Sequence, residues 1–316
     1  MRFALMTEPQ QGLTYDEILA LARAAETAGL EAFFRSDHYA SFPGAAGQPT
    51  TDAWATLAGI ARDTTRIRIG SLVSPITFRI PGSFAKLVAT VDEMSHGRVE
   101  VGMGAGWNEQ EHLQLGIPYP ALGERFDRLE EALAIVHGLW TEPDGWSFTG
   151  RHWQVSNAQF RPRPASSHGR HPNLILGGDG GPRLARLAAT FADEFNRQSA
   201  TPDRLREAYA RVRAACATAG RDPDAIVYSA MVGVLVAETD GELRDRSRQQ
   251  AALLGAAEDA EGWLAARRDR WIIGTPDEAH ERIGSLAEAG AQRIMLQDFL
   301  PRDMEMVALI GRIAAG

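Results

Sequence analysis

The 316-residue chain contains one cysteine, one lysine and no long apolar run. A single thiol, Cys216, excludes an internal disulfide and a cysteine-built zinc cluster. It falls in a stretch with helical spacing and reads as a small core residue. Lys86 is the only lysine, so arginine supplies the other 32 of the 33 basic side chains, and with 41 acids the net charge is −8. That balance provides no broad positive field for a nucleic-acid backbone, and nucleic acid is not an expected partner. A membrane helix needs about 18 uninterrupted apolar residues. No segment reaches that length, and residues 1–6 read as a short strand, so neither a leader nor a membrane is expected and the location is expected to be cytoplasmic. The chain has no Gly-x-Ser-x-Gly elbow and no His-Glu-x-x-His or His-x-His, so no serine nucleophile or metal site is expected. His168 and His171 stand in an Arg/Pro/Ser-rich loop and read as solvated.

What is present is a repeat. Residues 2–6 form an apolar strand, and residues 14–28 follow at helical spacing and stop at Gly29. The unit recurs with a strand at 31–36 and a helix capped by Thr51 or Asp52 that runs to about 63. A strand at 66–73, a helix over 81–94 and a strand at 98–103 come next. A long amphipathic helix over 123–140 precedes an aromatic, glycine-dotted piece at 146–164, read as an insertion or hairpin. Further strands are expected at 173–176, 192–196, 225–236 and 293–297. Helices are expected from 182, over 202–219, within 240–270, from 275 and over 303–314. Eight strands, each followed by a helix, predict a closed (β/α)8 TIM barrel as one domain over residues 1–316. An open doubly wound sheet is the competitor, but its glycine fingerprint is missing after the first strand.

Barrels carry their chemistry on the loops after the strands. The second loop sets Asp37 beside His38, an acid and an imidazole able to hydrogen-bond a polar ring, with His38 also able to move a proton. The third, from Ser71, Leu72, Val73 and Ser74 to Arg79, runs apolar strand into a proline turn with a possible anion ligand at its end. The fourth, Gly104, Ala105, Gly106, Trp107 and Asn108, combines close backbone approach with a flat aromatic face. The fifth, Gly177, Gly178, Asp179, Gly180 and Gly181, opens a helix at Pro182, which suits a phosphate.

Taken together, Ser-Asp-His at 36–38, Ser-Leu-Val-Ser-Pro with Thr-Phe-Arg at 71–79, Gly-Arg-Val-Glu-Val-Gly-Met-Gly-Ala-Gly-Trp-Asn-Glu at 97–109 and the 177–182 turn resemble the bacterial luciferase-like superfamily. Within it they resemble the oxidoreductases that use the deazaflavin coenzyme F420. The resemblance implies a coenzyme ring at the barrel mouth beside Asp37 and His38, with Gly104 to Asn108 along ring and linker. It places the phosphate in turn 177–181, and a non-proline cis peptide in a bulge at Ser71-Leu72 behind the ring. Arg79 and Arg183 would strengthen binding of the charged tail. The implied activity is hydride transfer between the deazaflavin C5 and a small organic substrate, in a homodimer. With no second lysine for a sugar phosphate, a substrate other than glucose 6-phosphate is expected. A flavin mononucleotide (FMN) monooxygenase and a non-catalytic coenzyme-binding protein are the alternatives. Substrate choice is expected to lie in segments 42–48, 146–164 and 240–270.

Overall fold

A computed structural model describes residues 1–165, 169, 171–199 and 201–316; His168 lies outside the described residues. Its eight barrel strands alternate in side-chain direction, so each sends every second residue inward. In chain order the elements begin with β1 (Arg2–Thr7), α1 (Tyr15–Thr27), β2 (Ala32–Arg35), α2 (Ala53–Asp63), β3 (Arg68–Pro75), α3 (Pro81–Ser95) and β4 (Val99–Gly104). Two helices follow, α4 (Glu109–Leu115) and α5 (Leu122–Thr141), then an antiparallel hairpin of β5 (Trp146–Thr149) and β6 (Gln154–Ala158). The alternation resumes with β7 (Asn173–Gly177), α6 (Pro182–Phe191), β8 (Glu194–Gln198), α7 (Pro202–Ala219) and β9 (Val227–Val236). After α8 (Asp240–Leu253), α9 (Ala260–Ala265) and β10 (Ile272–Gly274), the chain closes with α10 (Pro276–Glu288), β11 (Arg293–Asp298) and α11 (Met304–Ala315).

The order β9-β11-β1-β2-β3-β4-β7-β8, with β8 pairing back to β9, is a closed parallel ring of eight, as expected for a TIM barrel. Strand β9 is ten residues long; its last three, Val234–Val236, pair with β10, and Leu235 and Val236 run past the end of the β11 pairing. Helix starts follow the local chemistry. Thr14 and Glu17 form a capping box on α1, Thr275 and Glu278 another on α10, and the Asp52 carboxylate accepts the Ala55 N–H at 2.9 Å on α2. Two elements were not anticipated. Helix α4, Glu-Gln-Glu-His-Leu-Gln-Leu, is short and mostly polar, and β10 has three residues, too few for a period to show. Among the described residues, no helix is long and apolar enough to cross a membrane.

Between strands and helices lies the main apolar core; the barrel interior is layered differently. Its upper layer is apolar, with Met6, Phe34, Leu72 and Met295. Its lower layer is ionic. Arg293, fully buried, sets Nη1 2.6 Å from Glu100 and 3.0 Å from Glu194, with Nε 3.1 Å from Glu31. Arg68 Nε lies 2.5 Å from Glu100, and the Asn173 amide donates to both Glu100 and Glu194 at 2.9 and 3.1 Å. Burial alone would push the Glu100 carboxyl up, but the Arg293 charge holds it at about 2.

Glu100→Gln leaves Arg293 short of counter-charge and should cost about 3–5 kcal/mol. The carboxyl's contribution is complete above its ordinary value of 4.5 and is lost as pH falls toward about 2. The variant should therefore lose that part of the acid slope; equal urea midpoints for variant and wild type at pH 7 would refute the assignment.

Candidate active site

A cavity of about 790 Å³ opens at the carboxyl ends of the barrel strands. Its floor is made by a bulge. Ser71 pairs with Val101 and Ser74 with Met103, so β3 spends three steps where β4 spends two, and the extra residue turns Val73 inward. A cis peptide joins Leu72 to Val73, one residue later than the expected Ser71-Leu72. Ser71 is still held in the ladder by Arg35 and Val101, so the departure begins beyond it. Val73 needs room. A Cβ on Gly102 would lie 2.5 Å from the Ser71 carbonyl and 2.7 Å from Val73 Cγ1, and one on Gly104 2.8 Å from Val73 Cγ2. Gly104 lines the cavity, but its missing side chain makes space for Val73.

Asp37 and His38 part company. Asp37 is fully buried behind the wall, 2.6 Å from Arg79 Nη1, and accepts a 2.6 Å hydrogen bond from Ser74 Oγ. The Ser74 hydroxyl lies 3.0 Å from that of Ser71 and accepts from Trp54 Nε1 at 2.9 Å, so these two serines face the strand–helix layer and not the cavity. Arg79 also bonds Asp52 at 2.7 Å and the Tyr39 hydroxyl at 3.0 Å. Burial opposes its charge, yet Asp37 and Asp52 hold the guanidinium above its ordinary value. Arg79 is thus committed to these carboxylates and is not on the cavity wall, contrary to its expected use on a coenzyme tail.

His38 does face the cavity. Its Nδ1 lies 2.9 Å from Glu111 Oε1, while Glu111 Oε2 accepts the Tyr39 N–H at 2.9 Å. With Nδ1 engaged, Nε2 is the ring nitrogen left for a ligand. Phe42 and Trp107 meet the imidazole edge-on, at 4.5 and 5.8 Å. Glu111 was not anticipated; Asn108, which was, caps α4 through a 3.2 Å bond from the Gln110 N–H and is off the wall. Ala105, Gly106 and Trp107 are on it.

Across the mouth lies the glycine turn. In a ring of eight, β7 is four steps from β1, so this turn is diametrically opposite the end of β1. Gly177, Gly178, Asp179 and Gly181 line the cavity, whereas Gly180 packs against Phe195 and Ala208. No side chain caps α6, and Pro182 takes its first position. Arg211 donates to the Gly180 carbonyl at 2.9 Å and the Asp179 carbonyl at 3.2 Å, and Arg197 lies 2.7 Å from the Asp179 carboxylate. A trans peptide points N–H opposite to C=O, so fixing these carbonyls turns the N–H groups of Gly180 and Gly181 the other way. Gly178 has φ +148°, which only glycine adopts readily, and its N–H is spent on the Asn196 carbonyl at 3.1 Å. Arg183 lines the cavity and bonds Asp127 at 2.5 Å.

The opposite half carries a network the sequence reading missed. Gln10 donates to Glu8 at 2.8 Å, Ser36 to Gln10 at 2.6 Å, and the Gln297 amide to the other Glu8 oxygen. The signal was alternation: Glu8, Ser36 and Gln297 each stand two residues beyond an inward residue, Met6, Phe34 and Met295. Of the segments expected to choose substrate, only 42–48 reaches the cavity, through Phe42 and Pro43. The 146–164 hairpin instead lies outside α5, where Glu131 accepts the N–H groups of Arg151, His152 and Trp153 at 2.7 to 3.1 Å. No residue of 240–270 lines the cavity.

The two glycine groups should answer differently to a methyl. Gly102→Ala forces Val73 or the Ser71 carbonyl to move and should cost about 1–3 kcal/mol. Gly181→Ala, at φ −59° with open space beyond Cβ, should stay within about 0.5 kcal/mol of wild type. Matched urea melts decide this, and equal losses would refute the distinction.

Known proteins share this architecture. The chain is 35% identical over 181 residues to the F420-dependent glucose-6-phosphate dehydrogenase of Nakamurella multipartita, covering 57% of this chain and 51% of that protein. It thus spans about half the length of that curated relative. A solved F420-dependent secondary alcohol dehydrogenase, in complex with an F420-acetone adduct, superposes with TM-score 0.83 at 20% identity over 99% of this chain and 97% of its own. The oxygenating constituent of 3,6-diketocamphane monooxygenase from Pseudomonas putida, in complex with FMN, gives 0.77 at 20% identity over 100% and 98%. A family model for luciferase-like monooxygenases matches residues 1–293, and the chain belongs to that family.

Proposed function

We propose that the protein is a coenzyme F420-dependent oxidoreductase acting on a small organic substrate held against His38. The observation that carries this reading is the opposition, across one cavity, of an uncapped helix start behind a glycine turn and a His–Glu pair. The first suits a phosphate: the turn's N–H groups are turned away from Arg211, the helix dipole adds partial positive charge, and Arg183 stands on the wall. The second suits proton traffic. Trp107 and Val73 provide the flat and the convex apolar surfaces that a planar ring needs between them. When bound, the coenzyme supplies hydride donation or acceptance at C5 of its deazaflavin.

The chain's own residues do the rest. Glu111 holds the imidazole by Nδ1, so that a proton is gained or given at Nε2. Leu72, Phe126 and Leu129 exclude water from the interior wall. Asp37, Arg79 and Asp52 act behind the site, fixing the strand ends that carry His38 and the bulge. The F420-dependent name of the relative at 35% identity supports the choice of deazaflavin over FMN.

In parallel fluorescence titrations, F420 should bind more tightly than FMN at physiological salt. Gly181→Asp, which sets a carboxylate at the phosphate, should weaken both at least about tenfold with little change in Tm. Tighter binding of FMN would overturn the cofactor choice, and unchanged affinity in the variant would remove the phosphate from this turn. His38→Ala should lower turnover by about 10²–10⁴. Glu111→Gln, which keeps a hydrogen-bonding partner, should lose less. Single-turnover mixing with reduced coenzyme reads both, and an unchanged rate in His38→Ala would end the proton-transfer role.

A further inference from the structure

The two halves of the cavity differ in charge. Among the described wall residues, Arg183 is the only arginine or lysine, and it stands on the glycine-turn side, tied to Asp127 and Glu130. Lys86 is remote: it bonds the Arg161 carbonyl and lies over the Phe160 ring. On the facing half, the acidic groups are Glu8 and Glu111. The amide donors that an anion would need there are already turned onto Glu8, by Gln10 and by Gln297, and the second proton of the Gln10 amide goes to the Phe42 carbonyl at 3.3 Å. Both Glu8 oxygens already accept amide hydrogen bonds, so both amides are held toward Glu8 and not toward an incoming anion. An anion brought here would meet the Glu8 and Glu111 carboxylates with no arginine or lysine on this half to offset them, in a partly dehydrated site, which repels it.

The rest of this half is apolar and aromatic. Phe42, Pro43, Trp107 and Phe299 line it; Phe42 meets Trp107 edge to face at 5.2 Å, and Trp107 is 65% exposed, so its surface is open to an incoming molecule. With Glu111 on Nδ1, His38 Nε2 accepts a hydrogen bond when the ring is neutral and donates one when it is charged, so a hydroxyl satisfies it in either state and a carbonyl oxygen when the ring is charged.

We infer that the substrate is an uncharged molecule with an apolar body of about the size of an aromatic ring, bound through one hydroxyl or carbonyl oxygen at His38, and that phosphorylated and carboxylated substrates are excluded from this half. The inference rests on the proposed cofactor placement only in reserving the opposite half for the coenzyme. It separates this chain from a sugar-phosphate dehydrogenase, despite the name of the relative at 35% identity.

The test is calorimetric titration of coenzyme-loaded protein with benzyl alcohol, benzoate and benzyl phosphate, which share a ring and differ in charge. Benzyl alcohol should bind at least about tenfold more tightly than either anion. Glu8→Gln should improve benzoate about tenfold while moving benzyl alcohol less than about threefold. Should that variant fail to fold, Phe42→Arg, which supplies the missing cation at the same half, should shift the ratio in the same direction. Equal binding of an anion, oxidation of glucose 6-phosphate, or a ratio unmoved by the variants would overturn the inference. Failure to load F420 would fall on the functional proposal alone, because the response to Glu8→Gln is also read in protein without coenzyme.

Discussion

The barrel is closed at its lower end by charge, and the cavity exists because of it. Arg293 reaches from β11 to Glu100 on β4 and Glu194 on β8, with Glu31 before β2 and Arg68 on β3 drawn into the same cluster. Strands on opposite sides of the ring are thereby tied through its axis. At the rim of the cluster the exposed Arg2 pairs with the part-buried Glu31, so the network runs from the buried Arg293, Glu100 and Glu194 out to solvent. A plug of this kind is costly to desolvate, and it is retained where its geometry specifies one arrangement. Here it fills the lower interior, the apolar layer of Met6, Phe34 and Met295 rests on it, and space is left only at the strands' carboxyl ends.

Above that plug, the site is shaped by steric exchange. Side chains are withheld at Gly102 and Gly104 so that one can be placed at Val73. The bulge that delivers Val73 is flanked by Ser71 and Ser74, whose hydroxyls lead to Asp37 and so to Arg79 and Asp52. Asp52 is also the cap of α2, which means that one carboxylate ends the loop carrying His38 and begins the next helix. Packing, capping and ion pairing therefore hold the same few strand ends.

How much of this was legible depended on how local the signal was. The strand–helix repeat, the cap at Asp52 and the glycine turn that opens a helix at Pro182 are written in neighbouring residues, and the structure has each of them. Asp37 and His38 were read as a pair because they are adjacent, yet alternation along a strand end sends them to opposite faces. Glu111 partners His38 from 73 residues away, across a short polar helix without a clear period, and nothing local marks it. Arg79 looked available because its two carboxylates lie 42 and 27 positions distant. Gly104 was taken to admit a ligand, since a sequence does not show that another strand's side chain occupies that space.

The excursion after β9 never touches the cavity, but it is mechanically connected to it. Trp263 meets Trp271 edge-on at 5.5 Å, Trp271 stacks on Phe299 at 5.3 Å and 8°, and Phe299 is part of the cavity wall. Gly233 has no side chain because the Trp271 indole occupies that place. Three aromatic rings thus form a rod between a surface helix and the pocket. Sequence drift in the excursion can tilt the last ring and reshape the wall while the glycine turn and the ionic plug stay as they are, so the fold separates the part of the chain that tunes fit from the parts that keep the barrel closed.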